Sequence, residues 1–99
     1  MVHRIQNLLQ EFRRGLLGIY GPRLRGIYLY GSFARGEDDP ESDLDLIIVL
    51  DHFERYGAEV ERTGELAATL SLDHGITISQ VFLREEEWIH GDTPFLANA

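Results

Sequence analysis

Residues 31–50, GSFARGEDDPESDLDLIIVL, indicate two strands joined by a tight turn and a polar loop. An apolar strand leads into Gly31-Ser32, and the residues that follow predict a turn of helix over 33–36. Residues 37–42 are acidic and contain a proline, which is typical of a solvated loop. The second strand begins at Asp43.

The second strand places two carboxylates together. Because side chains alternate across a strand, Asp43 and Asp45 should share one face. Neighbouring carboxylates repel each other and lose hydration, so the arrangement calls for a cation. Oxygen ligands and the absence of cysteine favour Mg²⁺ or Mn²⁺ over zinc. The opposite face of this strand is expected in the core, with Leu44, Leu46, Ile48 and Leu50.

The turn before the acidic loop has the features of a phosphate site. Gly31 allows the backbone to approach an anion closely. The backbone N–H groups at the start of the helical turn that follows Ser32 can point toward that anion. Arg35 either binds a triphosphate oxygen or pairs with the acidic loop, and both interpretations stay open. Ser42 is placed to hydrogen-bond near the start of the second strand. Together with the aspartates, these residues predict a site for a metal-bound triphosphate.

The pair Gly31-Ser32, ten intervening residues and then Asp43-x-Asp45 resemble the signature of the DNA polymerase beta-like nucleotidyltransferases. The run Ser-Phe-Ala-Arg-Gly and the small size resemble the minimal nucleotidyltransferase (MNT) domains of that superfamily. The resemblance implies that both aspartates are catalytic and hold the metal. It also implies that ATP, as the substrate, is bound through Gly31, Ser32, Arg35 and Ser42.

The rest of the chain is compatible with that fold. Apolar spacing predicts helices over residues 3–19 and 54–72, a strand over 76–83 and a short last helix from 84. The expected fold class is α/β (α+β), a small mixed sheet with helices packed on one face, in a single domain over residues 1–99. The apolar face of the first helix comprises Ile5, Leu8, Leu9, Phe12, Leu16 and Ile19, and that of the second Tyr56, Val60, Thr63, Ala67 and Leu70.

Composition limits the partners. The formal net charge is −8, which disfavours direct binding of nucleic acid. The sequence has no apolar run long enough to cross a membrane and no signal-peptide pattern, so we expect a cytoplasmic protein that does not enter a membrane. The oligomeric state stays open, with a homo-oligomer as one option.

The family resemblance also implies a third carboxylate on the next strand, where this chain has none. Residues 76–81 read ITISQV, and Thr77, Ser79 or Gln80 takes that place. The departure is compatible with nucleotide binding, but it raises the question of whether two metals and full turnover are retained.

A small MNT protein resembles the antitoxin of HEPN/MNT toxin–antitoxin pairs. The resemblance implies a Mg²⁺-dependent enzyme that transfers a nucleoside monophosphate, AMP from ATP, to a hydroxyl of a protein partner, a helical HEPN-type toxin. One alternative is an inactive relative that neutralises its partner by binding. Another is a subunit of a small-molecule or nucleic-acid nucleotidyltransferase whose acceptor domain is a separate chain.

Overall fold

The computed structural model describes residues 2–30 and 43–90. The helices predicted over residues 3–19 and 54–72 and the strand predicted over 76–83 begin and end within two residues of those bounds. The predicted turn of helix over 33–36 lies outside the described residues. Within the described residues no helix is long and apolar enough to cross a membrane. The elements are α1 (Val2–Tyr20), a 3₁₀ turn (Gly21–Arg23), β1 (Leu24–Tyr30), β2 (Leu44–Leu50), α2 (Tyr56–His74), β3 (Ile78–Arg84) and α3 (Glu85–His90).

The three strands form one mixed sheet in the order β1-β2-β3. β1 runs antiparallel to β2, with Tyr30 opposite Asp45. β3 runs parallel to β2, with Ser79 opposite Asp45. The central strand β2 is buried along almost its whole length, as its continuous apolar sequence predicts.

The two long helices cover one face of the sheet, and this confirms the predicted packing. Apolar side chains of α1 interlock with those of β2 and α2 because both helices present an apolar stripe to the sheet. The core on this face contains Leu8, Phe12, Leu16, Tyr20, Leu44, Leu46, Ile48, Leu50, Phe53, Ala67, Leu70, Ile76 and Phe82.

The opposite face of the sheet is covered in part by α3. Ile47, Val49 and Leu83 form a second, smaller core there, and Trp88 of α3 packs against it. Trp88 also stacks on Tyr28 of β1, with ring centroids 4.3 Å apart. The predicted arrangement has helices on one face only, and the packing of α3 on the second face is an addition to it.

The buried face of α2 differs from the prediction at two positions, and one of them is Tyr56, which is 44% exposed. Val60 was expected in the core, yet it is 40% exposed, whereas Glu59 is only 4% exposed. Glu59 remains inside because its carboxylate accepts a hydrogen bond from the Tyr20 hydroxyl at 2.7 Å and another from Arg62 Nε at 3.1 Å. Glu59 therefore occupies the buried position one helical turn before Thr63.

Candidate functional site

The aspartate pair lies at the start of the central strand. Asp43 immediately precedes β2 and is exposed, whereas Asp45 is the second residue of β2 and is partly buried. Leu44 and Leu46, on either side of Asp45, are fully buried beneath the helices. Alternation along the strand therefore places Asp45 on the other face of the sheet, the face of Ile47.

The electrostatics of the pair follow the expectation from the sequence. Burial raises the pKa of the Asp45 carboxyl, and the charge of Asp43 raises it further. The folded protein therefore holds an aspartate whose ionised form is disfavoured by both its neighbour and its environment. A bound divalent cation would remove that penalty, and the two groups offer only oxygen ligands, which suit Mg²⁺.

The parallel register identifies which residue of β3 lies beside the aspartates. Ser79 is paired with Asp45, while Gln80 is paired with the buried Leu46 and so belongs to the helix-covered face. Thr77 precedes β3, and its carbonyl accepts the N–H of Leu44 at 2.7 Å. Of the three residues proposed from the sequence for the place of a third acid, Ser79 is the neighbour of Asp45. No group of three or more metal-ligating side chains occurs within residues 2–30 and 43–90.

The predicted nucleotide contacts Gly31, Ser32, Arg35 and Ser42 lie outside the described residues. The described ends of the two strands nevertheless indicate where the intervening segment begins. Tyr30, the last residue of β1, is directly opposite Asp45 in the antiparallel register. β1 therefore ends beside the aspartate pair.

A cleft of about 250 Å³ opens at the end of the sheet opposite the aspartate pair. Its arginines are largely balanced by acids: Arg23 pairs with Asp51 at 3.1 Å, and Arg62 pairs with Glu59. Burial acts to raise the pKa of Asp51, but hydrogen bonds from the His52 N–H and from Arg23 outweigh it, and the pKa is lowered. The cleft is lined by Arg23, His52, Phe53, Glu54, Arg55, Ala58, Glu59 and Arg62.

The sequence pattern does not predict the buried group formed by Tyr20, Glu59 and Arg62. One feature of the sequence does indicate that Glu59 is buried: it lies four residues before Thr63 and eight before Ala67, both on the predicted buried face of α2. Apolarity favoured Val60 instead, because a glutamate is rarely buried unless it is paired. The pairing residue Tyr20 lies on another helix, 39 positions earlier in the chain.

A pair of carboxylates at the start of the central strand of a small mixed sheet is the arrangement expected of a nucleotidyltransferase. Comparison with known families agrees with this expectation. Residues 9–96 match the nucleotidyltransferase domain. The chain belongs to that family and is a nucleotidyltransferase.

Two curated relatives come from Methanocaldococcus jannaschii, and each is named "putative protein adenylyltransferase". One is 32% identical over 81 residues, covering 82% of this chain and 75% of the relative. The other is 30% identical over 81 residues, covering 82% of this chain and 81% of the relative.

A solved structure, described as a toxin–antitoxin with AMP-PNP, contains a similar chain. The similarity has a TM-score of 0.53 at 27% identity and covers 72% of the present chain. The present chain spans 54% of the length of that chain.

Proposed function

We propose that this nucleotidyltransferase transfers AMP from ATP to a hydroxyl of a protein partner, with Mg²⁺ held by Asp43 and Asp45. The observation that carries the proposal is the aspartate pair at the start of β2, whose inner member has a raised pKa. A carboxylate that is destabilised in the free protein is suited to a site that a cation completes.

The chain's own residues position the reactants. Asp43 and Asp45 provide the oxygen ligands, and Gly31, Ser32, Arg35 and Ser42 are assigned to the triphosphate. When bound, Mg²⁺ neutralises charge on the phosphates as pyrophosphate leaves. The remaining task of the protein is to hold the acceptor oxygen in line with the α-phosphorus.

The acceptor hydroxyl must also lose its proton during the transfer. Ser79 lies beside Asp45 where a third acid could have served as a base, and a serine is too weakly basic for that role. Because both aspartates are assigned to Mg²⁺, the proton passes to solvent. This assignment predicts a slow enzyme.

The partner we propose is a HEPN-type toxin, with the present chain as its antitoxin. The support comes from the resemblance to MNT antitoxins and from the similar chain in a structure described as a toxin–antitoxin with AMP-PNP. The names of the curated relatives support a protein as acceptor. A second candidate function, neutralisation by binding alone, is favoured by Ser79 in place of an acid.

The test is to incubate the purified protein with Mg²⁺ and each nucleoside triphosphate, with and without the product of the adjacent gene, and to record intact masses. We expect an AMP adduct on the partner and none with Asp43→Asn, since that change removes a charge at nearly constant volume. The control is Asp73→Asn, an exposed aspartate at the end of α2.

Two outcomes would contradict the proposal. Adducts formed equally well by Asp43→Asn would remove the aspartate pair from the mechanism. A stable complex without any adduct, insensitive to EDTA, would identify the chain as a binding antitoxin.

A further inference from the structure

The outer edge of β1 is open. β1 is an edge strand of the described sheet, and from Arg25 to Tyr30 no backbone group hydrogen-bonds outside the β1–β2 ladder within the described residues. Unpaired N–H and C=O groups on a strand edge can accept a further strand. The extra residue in β1 between Leu24 and Gly26 disturbs only the start of the strand. The regular part of the open edge is therefore residues 26–30.

The other edge of the sheet is closed by side chains. On β3 the N–H of Phe82 donates to the Tyr56 hydroxyl at 3.1 Å, and that of Arg84 donates to the Glu87 carboxylate at 3.0 Å. The N–H of Ile78 donates to the Ser71 hydroxyl at 3.2 Å. This protection of β3, compared with the open edge of β1, marks β1 as the edge that is available for pairing.

A groove of about 320 Å³ runs beside the open edge, between α1 and β1. Its walls are apolar, from Leu9 of α1 and from Ile27 and Leu29 of β1, with Tyr28 at the margin. Leu29 is 36% exposed and Tyr28 is 39% exposed, so part of this apolar surface faces solvent. The groove can therefore accept alternate apolar side chains of an added strand.

Arg13 is the single charged residue among those lining the groove. The protein carries a net charge of −8, yet Arg13 has no ion-pair or hydrogen-bond partner within the described residues. A second copy paired through the same edge would bring two such arginines together, and like charges across an interface oppose association. An acidic partner would gain from Arg13, so charge complementarity favours a different protein.

We propose that β1 binds an extended, acidic and apolar segment of the protein acceptor as an additional strand. This inference rests on the proposed function and concerns how the acceptor is recognised. Alternate side chains of the segment enter the groove at Arg13 and Leu29, and the others lie on the face of the aspartates.

The register connects this edge to the reactive site. Tyr30 is opposite Asp45, so an added strand lies two inter-strand spacings, about 10 Å, from the backbone of Asp45. A segment bound along residues 26–30 is thus led to the end of the sheet where the aspartates lie. Edge pairing would hold the acceptor hydroxyl near the site without a further domain.

The test uses the full chain, the purified product of the adjacent gene, and charge reversals at consecutive positions of α1. We expect Arg13→Glu to weaken partner binding about tenfold or more, because it introduces repulsion within the groove. Arg14→Glu is the matched control, since it changes the charge equally and Arg14 does not line the groove. Both variants should bind Mg²⁺–ATP like the wild type. Hydrogen exchange should show increased protection in the complex at those amides of residues 26–30 that point away from β2.

The results separate failure of this inference from failure of the proposed function. Equal effects of the two charge reversals, no binding of the partner, or unprotected β1 amides in the complex would overturn edge pairing while nucleotide binding and transfer could stand. A dimer of the protein alone that protects the same amides would show that a second copy occupies the edge. Absence of both Mg²⁺–ATP binding and transfer would remove the proposed function, and the inference with it.

Discussion

The ionised side chain of Asp45 lowers the stability of the folded protein at the position proposed to bind the metal. The pKa of Asp45 is higher in the folded protein than in the unfolded chain, so folding favours the protonated carboxyl. The resulting stabilisation is fully present below the ordinary pKa of aspartate, and it is lost as the pH rises through the pKa of the folded protein. At neutral pH the ionised group therefore destabilises the free protein. Such a conflict is typical of functional positions.

Replacement of Asp45 by asparagine should relieve this conflict. We expect Asp45→Asn to raise the free energy of unfolding at pH 7 without metal by up to about 1 kcal/mol, because the cost of burying a charge and the repulsion from Asp43 are both removed. Urea titrations at pH 7 and near pH 3 measure the effect, which should become small at the lower pH, below the raised pKa of Asp45, where that carboxyl is protonated. A loss of stability at pH 7 would show that the carboxylate makes a favourable contact instead.

The buried hydroxyl of Tyr20 gives a second prediction at this scale. Burial, and then the hydrogen bond to the Glu59 carboxylate, raise the pKa of Tyr20, so the hydroxyl remains a donor at physiological pH. Tyr20→Phe should cost about 1–3 kcal/mol of unfolding free energy because Glu59 stays buried with Arg62 alone. Tyr28→Phe is the control, since that hydroxyl has no hydrogen-bond partner within the described residues. When Glu59 is already replaced by glutamine, Tyr20→Phe should cost less unfolding free energy than it does in the wild type. An equal cost with and without Glu59→Gln would contradict the hydrogen bond between Tyr20 and Glu59.

At the scale of the element, the sequence predicts helices and strands well because their signals are local. The apolar stripe of α1 places Leu8, Phe12 and Leu16 in the core, and all three are fully buried. The predicted stripe also includes Ile19, which is 38% exposed. Which part of an amphipathic face is covered depends on the neighbouring elements.

Two glycines in α1 differ only in their surroundings. An added Cβ at Gly18 would meet nothing within 4 Å, whereas at Gly15 it would lie 2.5 Å from Leu66 Cδ1 of α2. Gly18→Ala should therefore stabilise the protein by about 0.5–1 kcal/mol through helix propensity. Gly15→Ala should gain nothing or destabilise, since Leu66 has to move. Thermal unfolding of both variants provides the comparison, and equal stabilisation would mean that α1 and α2 are not in close contact at Gly15.

At the scale of the whole molecule, ligand binding should appear as stability. If Asp43 and Asp45 hold Mg²⁺ with ATP, a ligand concentration 100 times the dissociation constant adds about 2.7 kcal/mol. For a domain of this size that corresponds to a rise in Tm of roughly 10–20 °C. Differential scanning fluorimetry should show the rise, its reversal by EDTA and its absence in Asp43→Asn. An equal rise in that variant would place the nucleotide elsewhere.

The sequence by itself determined the order and type of the elements, the central buried strand and the aspartate pair at its start. These features follow from periodicity and from local chemistry, which a linear pattern records. The tertiary structure decided that Ser79 is the neighbour of Asp45 and that Glu59 and not Val60 is buried. It also decided that, among the described residues, β3 is the closed edge of the sheet and β1 the open one. Each of these depends on strand register or on a partner distant in the chain, such as Tyr20 for Glu59 or Tyr56 for Phe82. Pairing energies of that kind exist only once the elements have packed together.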